Sequence, residues 1–223
     1  MKKVFALVLF VTMFCWLAWA ADAAKELDAA AHVLQTMTSS KKIPASVLKD
    51  ARCIAVIPKM TKAGLIIGGK HGDGAVSCRT ASGWSAPAFI SMTGGSVGLE
   101  AGAEHESIVL LMNQKGEQEL KNGHWDLKAG ASAAGPNGES GVSEQTGWKA
   151  PVLSYSNGKG VFAGADIGGS KIDPDKDTIH NLYGETATFQ SVLSGQVKAP
   201  AAAQQFLSAL RHAAGTERAS AAH

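Results

Sequence analysis

Aromatic residues make up only 6% of the 223 positions and charged residues only 18%, and neither sign of charge prevails, with 21 Lys and Arg against 19 Asp and Glu. Setting Lys2 and Lys3 aside with an amino-terminal leader leaves nineteen of each sign. So few stacking rings on a charge-balanced chain exclude a nucleic-acid partner from the reading. Cysteine is scarce too: of three, Cys15 falls in the leader, and Cys53 and Cys78 remain. An oxidising compartment lets these two pair, but each sits in its own strand-like apolar run, so a bridge and two separately buried thiols stay equally open. The short motifs of cofactor chemistry are missing. There is no Gly-x-x-x-x-Gly-Lys-Ser/Thr phosphate loop, His105-Glu106 lacks the second histidine of a zinc-protease helix, and Gly69, Gly72 and Gly74 introduce a strand where a dinucleotide site needs a helix. Asp173, Asp175 and Asp177 alternate as in a calcium loop, yet Thr178 and Gly184 stand where the turn glycine and the bidentate glutamate belong. No metal or cofactor is expected.

What is abundant is small and apolar. Met1, Lys2 and Lys3 precede an apolar run over 4–20 broken only by Thr12; Ala18 and Ala20 place a cut before Ala21, and Ala21 with Ala23 offers a second before Ala24. Residues 1–20 read as a cleavable signal sequence, because the Ala-rich exit has no basic stop-transfer cluster to hold an anchor. Cys15 follows Thr12-Met13-Phe14, which does not suit a lipoprotein. The expected location is periplasmic or secreted, with peripheral attachment to a membrane. The remaining chain suffices for one domain over 21–213, followed by a disordered tail over 214–223.

Leu27, Ala30, Ala31, Leu34 and Met37 recur at three- and four-residue spacing, which predicts an amphipathic helix over 25–37. Pro44 can occupy the first turn of a short second helix. From 53 to 172 the texture changes to short Val-, Ile-, Leu- and Ala-rich runs punctuated by glycine, of which the chain has 25. The runs fall at 53–57, 64–69, 74–79, 84–92, 96–103, 107–113, 125–131, 152–156 and 160–167. Gly98, Gly102 and Gly164 inside them mark bends. Residues 95–103 and 160–168 share a texture and read as paired or equivalent strands, and 129–145 reads as a turn or longer loop around Pro136-Asn137-Gly138. Helical spacing returns over 177–182, 186–193 and 200–212. The fold class is α+β: a Gly-rich antiparallel sheet, barrel- or sandwich-like, with helices at the N- and C-terminal ends.

One catalytic pattern is present. Gly94-Gly95-Ser96-Val97-Gly98 matches a nucleophile elbow, and Asp166 and His180 complete the order of a triad. An elbow displays its serine between a buried strand and a helix, whereas 97–103 is small and glycine-bearing with no strand–helix alternation around it. A serine hydrolase using Ser96 is the remote reading, and a non-enzymatic protein the main one.

Charge is unevenly distributed. Lys41, Lys42, Lys49, Arg52, Lys59, Lys62, Lys70 and Arg79 are opposed over 41–80 only by Asp50 and Asp73, while 81–148 leans acidic. Scattered lysines usually form no more than a solvated face. Beside an amphipathic helix, however, they are how a soluble protein adheres to an anionic bilayer.

Ile43-Pro44-Ala45, Val47, Ala51, Ala55, Lys62-Ala63-Gly64, Gly72-x-Gly74 and Trp84-Ser85-Ala86-Pro87 together resemble the SYLF family. The likeness continues through 107–111, Ala129-Gly130, Tyr155, 160–164 and Leu182-Tyr183-Gly184, nearly the whole mature chain. The resemblance implies a module that binds membrane phospholipid, and in some members actin, which an exported protein does not meet. Glu26 and Asp28 depart from the basic helix of eukaryotic members and leave only Lys25 there, so phosphoinositide selectivity is not carried over. The expected lipid-binding set is Lys25, Lys41, Lys42, Lys59, Lys62, Lys70 and Arg79 for head groups and Leu27 and Leu34 for acyl chains; Lys62, in the Lys-Ala-Gly block, is the family position carried over. A structural or protein-partner-binding envelope protein is the alternative.

Overall fold

The computed structural model describes residues 2–64, 67–97, 104–127, 142–143, 147–148, 150–157, 167 and 169–215, with the backbone alone over 2–20 and at some strand ends. A single helix, α1 (Lys2–Ser39), contains both the expected leader and the expected amphipathic stretch. Leu27, Ala30, Ala31, Leu34 and Met37 are fully buried, because α1 lies on the sheet and against two carboxy-terminal helices, α4 (Lys176–Tyr183) and α6 (Gln204–Ala213). Its end is closed by two hydrogen bonds of 3.0 Å, from Lys41 N–H to Thr38 O and from Lys42 N–H to Met37 O. This closure puts a left-handed residue just past the helix, a place usually given to glycine. Here Lys41 occupies it, at φ 54°. The short helix α2 (Ala45–Asp50) follows, with Pro44 as the extended residue before it and not inside its first turn.

The strands are β1 (Cys53–Gly64), β2 (Ile67–Thr80), β3 (Gly83–Trp84), β4 (Ala88–Val97), β5 (Glu104–Met112), β6 (Trp125–Leu127), β7 (Val142–Ser143), β8 (Gly147–Trp148), β9 (Val152–Ser156) and β10 (Ser170–Pro174). Seven form one antiparallel path in the order β6-β10-β4-β2-β1-β5-β9, with β3 hung on β2; β7 and β8 make a separate pair. The expected α+β architecture is present: an antiparallel sheet, curled into an open half-barrel, with helices at both ends of the chain.

Glycine is what lets the sheet curl. Pairing of β1 with both neighbours shifts register between Val56 and Met60–Thr61, around Pro58, and the strand folds over β2 there. A Cβ on Gly74 would lie 2.3 Å from Val56 O and one on Gly72 2.7 Å from Lys59 O, so no other residue fits. The same glycines made β2 read as two runs in the sequence. Pairing in fact continues through them, since each still offers its backbone groups.

Cys53 and Cys78 are direct cross-strand partners and form a disulfide, which decides between the two alternatives. Four elements were not expected: β7 and β8, the first of which places a strand inside the segment 129–145 read as a turn or longer loop, and two more. The helix α3 (Gln114–Lys121) is polar on all but a narrow face and is capped by Asn113, whose side chain accepts from Gly116 N–H at 3.0 Å. Strand β10 runs through Asp173-Pro174, and the cap of the next helix lies at Asp175, which accepts from Thr178 N–H at 3.0 Å, one residue before α4. A further short helix, α5 (Phe189–Leu193), precedes α6. The runs at 98–103 and 160–166, the segment 129–141 and the tail from 216 lie outside the described residues.

Candidate functional site

Basic side chains gather where β1 begins and β2 ends. The Arg79 guanidinium donates to Ala51 O at 2.9 Å and Lys49 O at 3.1 Å and lies 4.7 Å from the centroid of the Trp84 ring. It therefore clamps the end of α2 onto the sheet. Arg79 N–H donates to Arg52 O at 2.7 Å, so the two arginines are neighbours, and burial and the Arg52 charge together lower the Arg79 pKa. Arg52 reaches Glu117 of α3 at 2.9 Å, and Lys121 reaches the same carboxylate at 2.8 Å. Burial alone would raise the Glu117 pKa, but those two hydrogen bonds outweigh it and hold the carboxyl below its ordinary range. Lys49 and Arg52 remain exposed, as do Lys41 and Lys42 one short helix earlier; Lys42 Nζ donates to Asn157.

A second polar group lies inside the curl. Lys62 and Lys70 are cross-strand partners; Lys70 faces Gly94 of β4, and Gly94 faces Ser170 of β10. The residues of this transverse row point to one face. Lys62 and Lys70 retain only 7% and 5% exposure, and Lys62 Nζ lies 2.9 Å from Glu106 of β5.

Acidic groups line the outer face near Glu26 of α1. Asp73, Ser91 and Asp173 form a cross-strand row. His124 meets Asp173 at 2.5 Å and Asp126 at 3.5 Å, and His71 meets Asp73 at 3.4 Å. The bond to Asp173 raises the His124 pKa. Glu26 on α1 is pushed up to about 7, first by burial and then by the charges of Asp73 and Asp175; its Oε1 is covered and unpartnered.

The expected lipid set is therefore dispersed. Arg79 lies in the basic cluster, joined by Lys49 and Arg52, which the sequence showed as part of the basic stretch but not as site residues, whereas Lys42, bonded to Asn157, sits at the opposite end of β9, with Lys41 next to it in the chain. Lys59 and Lys25 are exposed elsewhere. Lys62 and Lys70 are turned into the half-barrel, and Leu27 and Leu34 are at 0% exposure under α1, so in this conformation neither leucine meets an acyl chain. Ser96 lies within β4, paired with Gly68 in an antiparallel strand, not at a strand-to-helix turn. His180 sits on α4, 3.8 Å from Glu185, and Asp166 is outside the described residues. Among the described residues no cluster of three His, Cys, Asp or Glu could hold a metal ion.

Comparison with known proteins covers most of the chain. An SH3 domain-containing protein of Schizosaccharomyces pombe is 36% identical over 176 residues, covering 76% of this chain and 41% of that protein. Protein YSC84 of Saccharomyces cerevisiae is 34% identical over 192 residues, 83% of this chain and 41% of the relative. The human SH3 domain-containing YSC84-like protein 1 is 30% identical over 192 residues, 83% of this chain and 55% of the relative. The chain thus spans between two fifths and somewhat over half of the curated relatives it matches. No solved structure matches. Residues 93–213 match the family model described as Ysc84, Las17-binding protein actin regulator, and the chain belongs to that family, the one its sequence blocks resemble.

Proposed function

We propose that this protein is a non-enzymatic, exported envelope protein that attaches peripherally to anionic phospholipid through the exposed cations Lys41, Lys42, Lys49 and Arg52, with Arg79 holding the last two at the end of the sheet. The observation that carries this reading is Lys41. A non-glycine residue at a left-handed helix closure costs on the order of 1 kcal/mol, yet the chain places an exposed lysine there, next to a second. Each cation near an anionic surface adds about 1 kcal/mol, so four supply about 4 kcal/mol, enough for reversible adhesion. The apolar face of α1 takes no part. Leu27, Leu34 and Met37 are fully buried, so none of the three is presented to a membrane while α1 stays packed.

Sedimentation with vesicles of phosphatidylcholine, with and without phosphatidylglycerol, tests the proposal. Lys41→Gly is expected to bind the anionic vesicles about fivefold more weakly while unfolding at higher urea, by about 0.5–1 kcal/mol. Equal binding to both vesicle types, insensitive to salt, refutes the electrostatic reading.

The relatives support a second reading. Two Saccharomyces cerevisiae relatives at 33% identity are named LAS seventeen-binding protein 3, and the shared domain could serve a protein partner here as well. Cross-linking in envelope extracts that yields one saturable protein adduct, with no vesicle binding, favours it.

A further inference from the structure

We propose that the inner face of the half-barrel holds a binding site for a phosphate-type oxyanion, with the Lys70 ammonium and the Ser170 hydroxyl as donors on either side of Gly94. The two side chains come from different strands, β2 and β10, and the strand between them carries no side chain at the meeting point. A Cβ on Gly94 would sit 2.8 Å from Ser170 Oγ, 2.9 Å from Lys70 Cε and 3.0 Å from Ser170 Cα. The lysine stem and the hydroxyl therefore converge over one bare backbone position. Ser170 is 1% exposed, and its Oγ has no hydrogen-bond partner among the described residues. A buried hydroxyl left unpaired is costly, and a native structure keeps one when something else completes it. Lys70 can hold another bond and still contribute, since an ammonium carries three donors.

A cation and a neutral donor under low dielectric favour an anionic acceptor over a neutral one, and a tetrahedral oxyanion offers oxygens to both. The neighbouring Lys62 pairs with Glu106 at 2.9 Å, so that carboxylate is neutralised and does not oppose an anion beside Lys70. The row lies just below the surface: the Lys62 and Glu106 side chains retain 9% and 11% exposure and Gly94 is half-buried. The same chemistry suits free phosphate or the phosphomonoester of a lipid head group. In the second form the site rests on the membrane reading; in the first it stands without it.

Isothermal titration of the purified full chain with inorganic phosphate and with glycerol 3-phosphate tests the site. Saturable binding is expected, weakened about tenfold in Ser170→Ala by loss of one charge-assisted donor, abolished in Gly94→Ala, and unchanged in Lys198→Ser, an exposed lysine outside both surfaces. Absence of binding to the wild type, or equal binding in Ser170→Ala and wild type, overturns the proposal; Ser170→Ala removes one atom and decides the matter even where Gly94→Ala fails to fold. Vesicles separate the two sources. Preference for phosphatidic acid over phosphatidylglycerol, lost in Ser170→Ala, assigns the site to a lipid head group. Equal vesicle binding, or none, alongside phosphate binding that Ser170→Ala weakens, assigns it to free phosphate, and the second of these refutes the membrane reading alone.

Discussion

Replacing Glu26 by glutamine should remove a pH dependence that the packing of α1 builds into the fold. The Glu26 carboxyl is covered by the helices and sheet around it and faces Asp73 and Asp175, which together push its pKa from an ordinary 4.5 up to about 7. The folded state therefore keeps this proton to higher pH than the unfolded chain does. Between 4.5 and about 7 the folded form binds more protons, so stability falls as pH rises through that window and stays low above it. The gap is worth about 3 kcal/mol at about 1.4 kcal/mol per unit. Glutamine holds the neutral form at every pH. Urea unfolding followed by tryptophan fluorescence, run from mildly acidic to mildly basic pH on both proteins, should show Glu26→Gln gaining on the wild type by about 3 kcal/mol across this window. Only the difference between the two proteins is diagnostic. His124, also raised, stabilises below its unfolded pKa and loses that contribution as pH rises, but it does so in both. Parallel pH profiles would falsify the assignment and mean that Glu26 is solvated, with α1 able to rotate it outward.

Three further outcomes follow from the sheet. Gly74→Ala drives a Cβ to within 2.3 Å of Val56 O, a backbone atom that cannot swing away, and should cost about 3 kcal/mol or more in urea unfolding; a loss below about 1 kcal/mol would show that the β1 bulge gives way. Lys62→Met leaves Glu106 in the half-barrel without its 2.9 Å partner and should cost about 3–5 kcal/mol. Lys62→Met/Glu106→Leu should recover most of that loss, and a double mutant as poor as the sum of the single ones contradicts a coupled pair.

How much of this could be read from residues alone varies with the kind of signal. The α1 stripe of Leu27, Ala30, Ala31, Leu34 and Met37 was legible as helical because its period is local. What covers the stripe was not, because an apolar face looks the same whether it meets a sheet or a bilayer. Strand β9 was read with its correct ends, as a short run of Val152, Leu153 and Tyr155 bounded by Pro151 and Asn157-Gly158. Strand β2 was split in two by its own glycines, whose purpose is the close approach of β1, a contact made from another strand. The Lys-Ala-Gly block drew attention to Lys62 but could not show that it faces Glu106, 44 positions away. Helix α3 was missed because it buries only Gly116, Glu117 and Leu120, too few for a periodic signal; Asn113 as its cap was the available clue. Ser170 carries no motif at all, and only the sheet register puts it opposite Gly94.

The disulfide connects the fold to the location proposed for it. Cys53 and Cys78 are both fully buried and 25 positions apart. Closing a loop of that length removes about 3.5 kcal/mol of chain entropy from the unfolded state. Such bonds persist in oxidising compartments and are rare where glutathione keeps thiols reduced. A cytosolic copy of this chain would then fold with two buried thiols and lose that stabilisation, with Arg52 and Arg79, the residues next to the cysteines, less firmly fixed. The experiment compares the chain sent to a bacterial periplasm by its own leader with a leaderless chain kept in the cytosol. Intact mass of the exported protein should begin at Ala21 and show no alkylatable thiol after unfolding without reductant, whereas the cytosolic protein should take up two alkyl groups and unfold about 3.5 kcal/mol more easily. Two free thiols in the exported protein, or equal urea midpoints for both, would break the link between this bridge and export and leave the leader as the sole argument for it.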